Sequence, residues 1–120
     1  MTVVACSFVR IRAETAVERR VAELAGDLPI VIDHYASRRC GATIGDVRVR
    51  VGGAAPDEAL VELEPIGSVR VLAERHLVRL LADGAAIRFG NRLLGSQPSI
   101  ELDHPEAWLC FLEEHPQSRR

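Results

Sequence analysis

Residues 28–35 read LPIVIDHY and join the apolar and polar features around which the rest of the chain is organised. Residues 29–32 carry no polar side chain, which is typical of a strand buried on both faces. Asp33, His34 and Tyr35 follow directly and supply an acid, an imidazole and a phenol. Because ligands of open α/β sheets gather beyond the carboxyl ends of strands, the stretch predicts a central strand that borders a candidate site.

The residues before this stretch predict an N-terminal βαβ unit. Residues 2–12 alternate loosely and indicate an interior strand, whereas residues 14–25 place apolar side chains at helical spacing. Gly26 and Pro29 are suited to ending that helix. If the two strands share a sheet, a right-handed crossover would make them parallel.

The middle of the chain predicts a hairpin with one charged face. Residues 36–45 are small and polar and indicate a loop, while residues 46–51 and 61–64 alternate strictly between apolar and charged side chains. Paired antiparallel, the two strands would oppose charges worth ~0.2–1 kcal/mol per pair. The outward residues of this hairpin would be Arg48, Arg50, Glu62 and Glu64.

The C-terminal half adds two helices and two short strands. Helical spacing runs over residues 68–83, although residues 69–72 also fit the end of a strand. Residues 85–89 and 99–102 indicate strands. A final helix is predicted to begin after Asp103 and to stop before Pro116.

Together these elements predict an α+β fold with a mixed sheet of five to six strands and helices mainly on one face. The element order can also be laid onto a ferredoxin-like split βαβ arrangement with additions. A length of 120 residues indicates a single domain, here 1–116, followed by a disordered tail at 117–120.

Composition narrows the classes of function. The net charge of −2 provides no field for nucleic acid or an anionic membrane, and the sheet offers few aromatic side chains for stacking RNA. The scattered cysteines Cys6, Cys40 and Cys110 favour a reducing compartment, and the lack of a signal peptide favours the cytoplasm. All 15 basic residues are Arg, which fits either high-GC bacterial codon usage or selection for anion contacts.

His34, Tyr35, Asp33 and Cys40 are the candidate catalytic residues. His34 suits acid–base chemistry near neutral pH, but neighbours on a strand point to opposite faces, so Asp33 would share a side with Tyr35 and not with His34. The alternative is that His34 and Tyr35 are boundary residues bonded to the backbone. Arg38 and Arg39 are candidate anion-binding residues and would favour the thiolate form of the neighbouring Cys40.

No spacing typical of a metal site, a phosphate loop or a cofactor motif occurs, so neither metal nor cofactor is predicted. Trp108, Phe111 and Leu112 form an apolar helix face that either seals the sheet or binds a partner. We therefore expect a small binding or regulatory module that acts through protein contacts, as a homodimer. The alternative is a small enzyme or ligand-binding domain whose pocket surrounds His34 and Tyr35, with Arg38 and Arg39 holding an anion from a small-molecule ligand.

Overall fold

The computed structural model describes residues 3–5, 9–39, 42–52, 60–89 and 98–114, and the side chains of 9–34, 46–52, 60–89 and 98–111. The elements in chain order are β1 (Val3–Ala5), α1 (Thr15–Ala25), β2 (Ile30–Arg39), β3 (Ala42–Val51), β4 (Leu60–Ile66), β5 (Val69–Glu74), a single 3₁₀ turn (Arg75–Leu77), α2 (Val78–Ala82), β6 (Ala85–Phe89), β7 (Pro98–Leu102) and α3 (Pro105–Glu114).

The described strands form two sheets. The larger has the order β1-β4-β5-β2-β3, and the smaller is the antiparallel pair β6-β7. In the larger sheet β1 is parallel to β4 and β2 is parallel to β5, whereas β4 with β5 and β2 with β3 are antiparallel. The predicted α+β class with a mixed sheet is confirmed.

The predicted N-terminal βαβ unit is wrong. β1 lies at an edge of the larger sheet, with β4 and β5 between it and β2, and the pairings between them make β1 and β2 antiparallel. The physical reason is that residues 9–14, which we call the N-terminal segment, form backbone hydrogen bonds with both sheets. Val9 accepts a hydrogen bond from the N–H of Glu64 in β4, and Arg12 pairs with β6 instead. The split βαβ arrangement of a ferredoxin-like fold is therefore not formed.

The predicted charged-face hairpin is also wrong in its pairing. β3 pairs with β2, and β4 pairs with β5 and β1, so residues 46–51 and 61–64 are not neighbours. Residues 36–39 and 42–45 are strand and not loop. Alternation identifies half-buried strands but does not identify their partners, which depend on contacts distant in sequence.

The helix predicted over residues 68–83 begins as strand β5 and continues only as the 3₁₀ turn and the short α2. Gly67, at φ 60°, lies in the tight turn that joins β4 to β5 across the pair Ile66 and Val69. Val71 and Leu72 are buried in separate apolar clusters on opposite faces of β5. A strand that is apolar on both faces has no alternation, and its apolar residues can therefore imitate helical spacing.

Other predicted elements are confirmed. α1, β6, β7 and α3 lie within a residue or two of their expected bounds, and Gly26 ends α1 with a positive φ of 58°. The expected tail 117–120 lies outside the described residues.

The main core lies on one face of the larger sheet. Ile30 and Ile32 of β2 belong to this cluster together with side chains from all three helices and from β6. Val31, which alternates with them, packs instead with Leu60 and Leu72 on the other face. β2 is thus buried on both faces, which agrees with its apolar sequence. β7 contacts β3 on the side where α3 also lies.

Candidate functional site

The polar end of β2 places His34 against Glu74, the last residue of β5. The imidazole Nδ1 lies 3.0 Å from Glu74 Oε2, and the two side chains are 8% and 1% exposed. The contact has the separation of an ion pair but not the alignment of a hydrogen bond. Glu74 Oε1 also accepts a hydrogen bond of 3.2 Å from the backbone N–H of His34. One buried carboxylate therefore holds both the backbone and the ring of His34.

Two aromatic rings of α3 enclose the His34 imidazole. The ring of Phe111 meets it edge-on with centroids 5.0 Å apart, and the ring of Trp108 does so at 6.1 Å. Trp108 and Phe111 are stacked on each other with centroids 5.2 Å apart. Phe111 is buried and Trp108 is half-buried, so the predicted α3 face seals the sheet over His34 and exposes only part of Trp108.

Glu74 is the member of this cluster that sequence reasoning missed. A carboxylate that accepts a hydrogen bond from Nδ1 fixes the tautomer of a histidine for proton transfer, and the Glu74 contact has the separation for this but not the alignment. The acid lies 40 residues after His34, and reading residues 68–83 as one helix hid its position at the end of a strand. The available signal was the charged residue that closes the run VRVLAE directly after the apolar residues 71–73.

Asp33 lies on the opposite face from His34, as alternation along a strand requires. Its carboxylate is 3% exposed and binds two arginines of β3: Arg48 Nε lies 2.9 Å from Oδ1, and Arg50 lies 2.8 Å from Oδ2. Asp33 and Arg48 are directly opposite in the β2–β3 ladder. The two guanidinium groups therefore neutralise a buried carboxylate, which costs much free energy when it is left unpaired.

The remaining predicted residues are placed only in part. Tyr35, Arg38 and Arg39 lie on β2, where Arg38 pairs with Thr43 and Arg39 with Ala42, but their side chains lie outside the described residues. Cys40 also lies outside the described residues, as does the side chain of Leu112. The structure thus brings His34 together with Trp108 and Phe111, and separates it from Asp33.

The β2–β3 hairpin extends well beyond the rest of the sheet. β5 pairs with β2 only over Ile30–Ile32, whereas the β2–β3 ladder continues to the pair Arg39 and Ala42. In the described part of the chain, no third strand is hydrogen-bonded to this extension. We call residues 35–39 and 42–46 the arm; five residues of antiparallel strand correspond to about 17 Å.

The outward edges of the arm follow from the ladder. The N–H of Gly52 donates to the carbonyl of Pro29, and antiparallel pairs alternate between facing each other and facing away. By this alternation the backbone groups of His34 and Val47 face away from each other. The Val47 N–H is accepted by Asp46 Oδ1 at 2.8 Å, just as the His34 N–H is accepted by Glu74. The arm therefore begins just beyond the pair of His34 and Val47, in which a carboxylate accepts each outward N–H.

Two exposed ion pairs shift the pKa values of their carboxyl groups. Arg70 donates two hydrogen bonds to Glu62 and lowers the pKa of that carboxyl below its ordinary value. Arg12 does the same for Asp103 through two contacts of 2.6 Å, and the pKa of Asp103 is lowered. The Glu62 pair joins β4 to β5, and the Asp103 pair ties the N-terminal segment to the residue that follows β7.

Two of the cavities that described residues form lie beside α1, and His34 lines neither of them. One is a groove of about 430 Å³ between the N-terminal segment, α1 and β6, and the other is a shallow depression along α1. Among the described side chains, no three His, Cys, Asp or Glu residues converge as metal ligands would. No described helix combines the length and the apolar character that crossing a membrane requires. No protein family, curated protein or solved structure matches this chain.

Proposed function

We propose that this chain is a small binding module that acts through protein contacts and forms a homodimer through the arm. The observation that carries the proposal is the difference in length between the two ladders of β2. Its pairing with β5 ends at Ile32, and its pairing with β3 continues to Arg39. A two-stranded hairpin that stands alone is only marginally stable in water, so a surface that covers the arm would stabilise it.

The backbone of the arm has groups suited to pairing or to covering by a partner. Beyond His34 and Val47, the same alternation directs the N–H and C=O groups of Ala36 and Arg38 outward on one edge, and those of Thr43 and Gly45 outward on the other. None of these groups has a backbone partner in the described part of the chain. Such edges are common sites of association between chains.

Charge favours a second copy of this chain as the partner. The arm carries Arg38 and Arg39 against Asp46, whereas residues 105–114 of α3 contain three glutamates and no basic residue. α3 also exposes Leu109, at 63%. Because α3 contacts β3 and its aromatic rings lie on His34 at the base of the arm, a two-fold axis beside that base would bring each arm to the α3 of the other copy.

The acid–base alternative has the His34–Glu74 pair in its favour. A catalytic histidine must also reach its substrate, and this imidazole lies under Trp108 and Phe111 with neither described cavity opening onto it. The buried pair is better explained as an anchor that fixes α3 and the base of the arm. Contact through the arm is therefore the function that we put forward.

Charge reversal with restoration tests the proposal. The double substitution Arg38→Glu and Arg39→Glu should shift the chain from dimer to monomer in sedimentation velocity, because the arm would then repel the acidic helix. Adding Glu113→Arg and Glu114→Arg should restore the dimer. Arg19→Glu with Arg20→Glu on α1 is the matched control and should leave the dimer intact. A charge-reversed arm that dimerises like the unmodified chain would refute the proposal.

A further inference from the structure

The groove between α1 and β6 lies apart from the arm and is bordered by a strand edge. It has a volume of about 430 Å³ and is lined by Val17 of α1, by residues 12–14 and by residues 86–89 of β6. This volume is in the range of ordinary ligand sites. Its floor and walls combine apolar side chains, among them Val17 and Phe89, with backbone.

The chain's own N-terminal segment occupies the first part of this β6 edge. The N–H of Arg12 donates to the carbonyl of Ala85 at 3.0 Å, and the N–H of Ile87 donates to the carbonyl of Arg12 at 2.9 Å. Arg12 therefore pairs with β6 in the parallel direction. The chain then turns away, because α1 begins at Thr15.

The next backbone groups of β6 are left facing the groove. The N–H of Asp103 donates a hydrogen bond to the carbonyl of Gly84. By the alternation of an antiparallel ladder, the backbone N–H and C=O groups of residues 86 and 88 then face β7. The backbone groups of residues 85, 87 and 89 face the opposite edge of β6. The Ile87 carbonyl and the Phe89 N–H lie on that edge. Neither has a backbone partner within the described residues.

We propose that this groove binds an extended peptide segment of another protein, which continues along β6 the parallel pairing that Arg12 begins. One residue of the peptide would donate its N–H to the Ile87 carbonyl and accept the Phe89 N–H through its own carbonyl. An apolar side chain next to it would pack between Val17 and Phe89. The directional backbone groups select an extended chain over a helix or a compact small molecule, and the seated N-terminal segment shows the direction that the edge accepts.

The peptide acetyl-Thr-Val-Thr-Val-Thr-amide is a suitable probe, titrated into the ¹⁵N-labelled chain and followed by amide NMR. Binding should shift the Phe89 amide in a saturable way and slow its hydrogen exchange. A version of the probe with N-methylated amides should bind at least about tenfold more weakly, since each lost contact of about 1.4 kcal/mol is tenfold in affinity. Equal binding of both versions would overturn strand pairing.

Two variants separate the groove from other surfaces. Val17→Trp should fill the groove and weaken probe binding at least about tenfold, whereas Ala16→Trp, on the exposed side of the same helix turn, should leave it unchanged. Both should retain the amide dispersion of the folded chain. A change in the chemical shift of the Phe89 amide on dilution without peptide would mean that a second copy of the chain occupies the groove. No change in that shift at about 1 mM probe would mean that the groove binds no peptide. Either result overturns the proposal.

Discussion

His34 and Val47 are opposite one another in the β2–β3 ladder, and a carboxylate accepts the outward N–H of each. Glu74 accepts from His34 at 3.2 Å, and Asp46 accepts from Val47 at 2.8 Å. Glu74 comes from the neighbouring strand, while Asp46 comes from the same strand. This pair marks the point at which the hairpin leaves the support of β5, and it closes both edges of the hairpin there.

Removing the Glu74 carboxylate should destabilise the fold. Glu74→Ala would leave the buried N–H of His34 without its acceptor, and it should lower the free energy of unfolding by about 1–3 kcal/mol. Glu23→Ala, at an exposed position on α1, should change it by no more than about 0.5 kcal/mol. Urea denaturation measures both. Equal stabilities of the two variants would show that the His34–Glu74 contact carries no weight.

Removing Asp33 should destabilise the fold more than removing one of the two arginines that bind it. Asp33→Ala removes a carboxylate that Arg48 and Arg50 both bind, and it should cost about 1–3 kcal/mol in the free energy of unfolding. Arg48→Ala should cost less, because Arg50 continues to pair with the buried carboxylate. Thermal denaturation in matched buffer distinguishes them. A larger loss for Arg48→Ala would contradict the assignment of Asp33 as the shared centre.

The sequence predicts the elements better than their partners. Helical spacing of apolar residues and the residues that begin or end a helix predict α1 and α3. These signals are local and involve nearby residues such as Gly26 and Pro105. The pairing of β3 with β2 could not be obtained in this way, since strict alternation in residues 46–51 fits any half-buried neighbour. It is decided by contacts distant in sequence, such as Arg48 with Asp33.

The sequence predicts how the residues of β2 in the candidate site are oriented, but not which residue of another strand contacts His34. Alternation along β2 correctly separates Asp33 from His34, because that rule is local. The partner of His34 was not predictable, because β5 is apolar on both faces and its spacing imitates a helix. That error placed Glu74 within a helix, when it ends the strand next to His34.

Phe111 should behave as a core residue although its sequence pattern also fits a partner surface. Phe111→Ala would open a cavity beside His34 and should lower the free energy of unfolding by about 3–5 kcal/mol. Leu24→Ala, at a position 49% exposed on α1, is the control and should cost well under half as much. If urea denaturation gave Phe111→Ala the stability of the control, α3 would not be packed on the sheet as described.

The lowered pKa of Glu62 predicts a pH effect with a definite sign. Because its folded pKa lies below the unfolded value of about 4.3, the pair with Arg70 contributes stability above that value, which is lost as the pH falls through the folded pKa. Arg70→Gln should raise the Glu62 pKa in a carboxyl NMR titration. The pKa of Asp103, paired with Arg12, should not move. An unchanged Glu62 pKa in the variant would contradict the assigned cause.

The most direct test of arm-mediated dimerisation is the sedimentation-equilibrium mass of the full chain and of a variant without the arm's tip. Tyr35 and Asp46 are opposite in the ladder, so replacing residues 36–45 with Asn-Gly should close a two-residue hairpin and keep the remaining pairs. The full chain should have the mass of a dimer, and the shortened chain should have the mass of a folded monomer with unchanged circular dichroism in its helices. Equal association states for the two chains, whether monomer or dimer, would contradict the account.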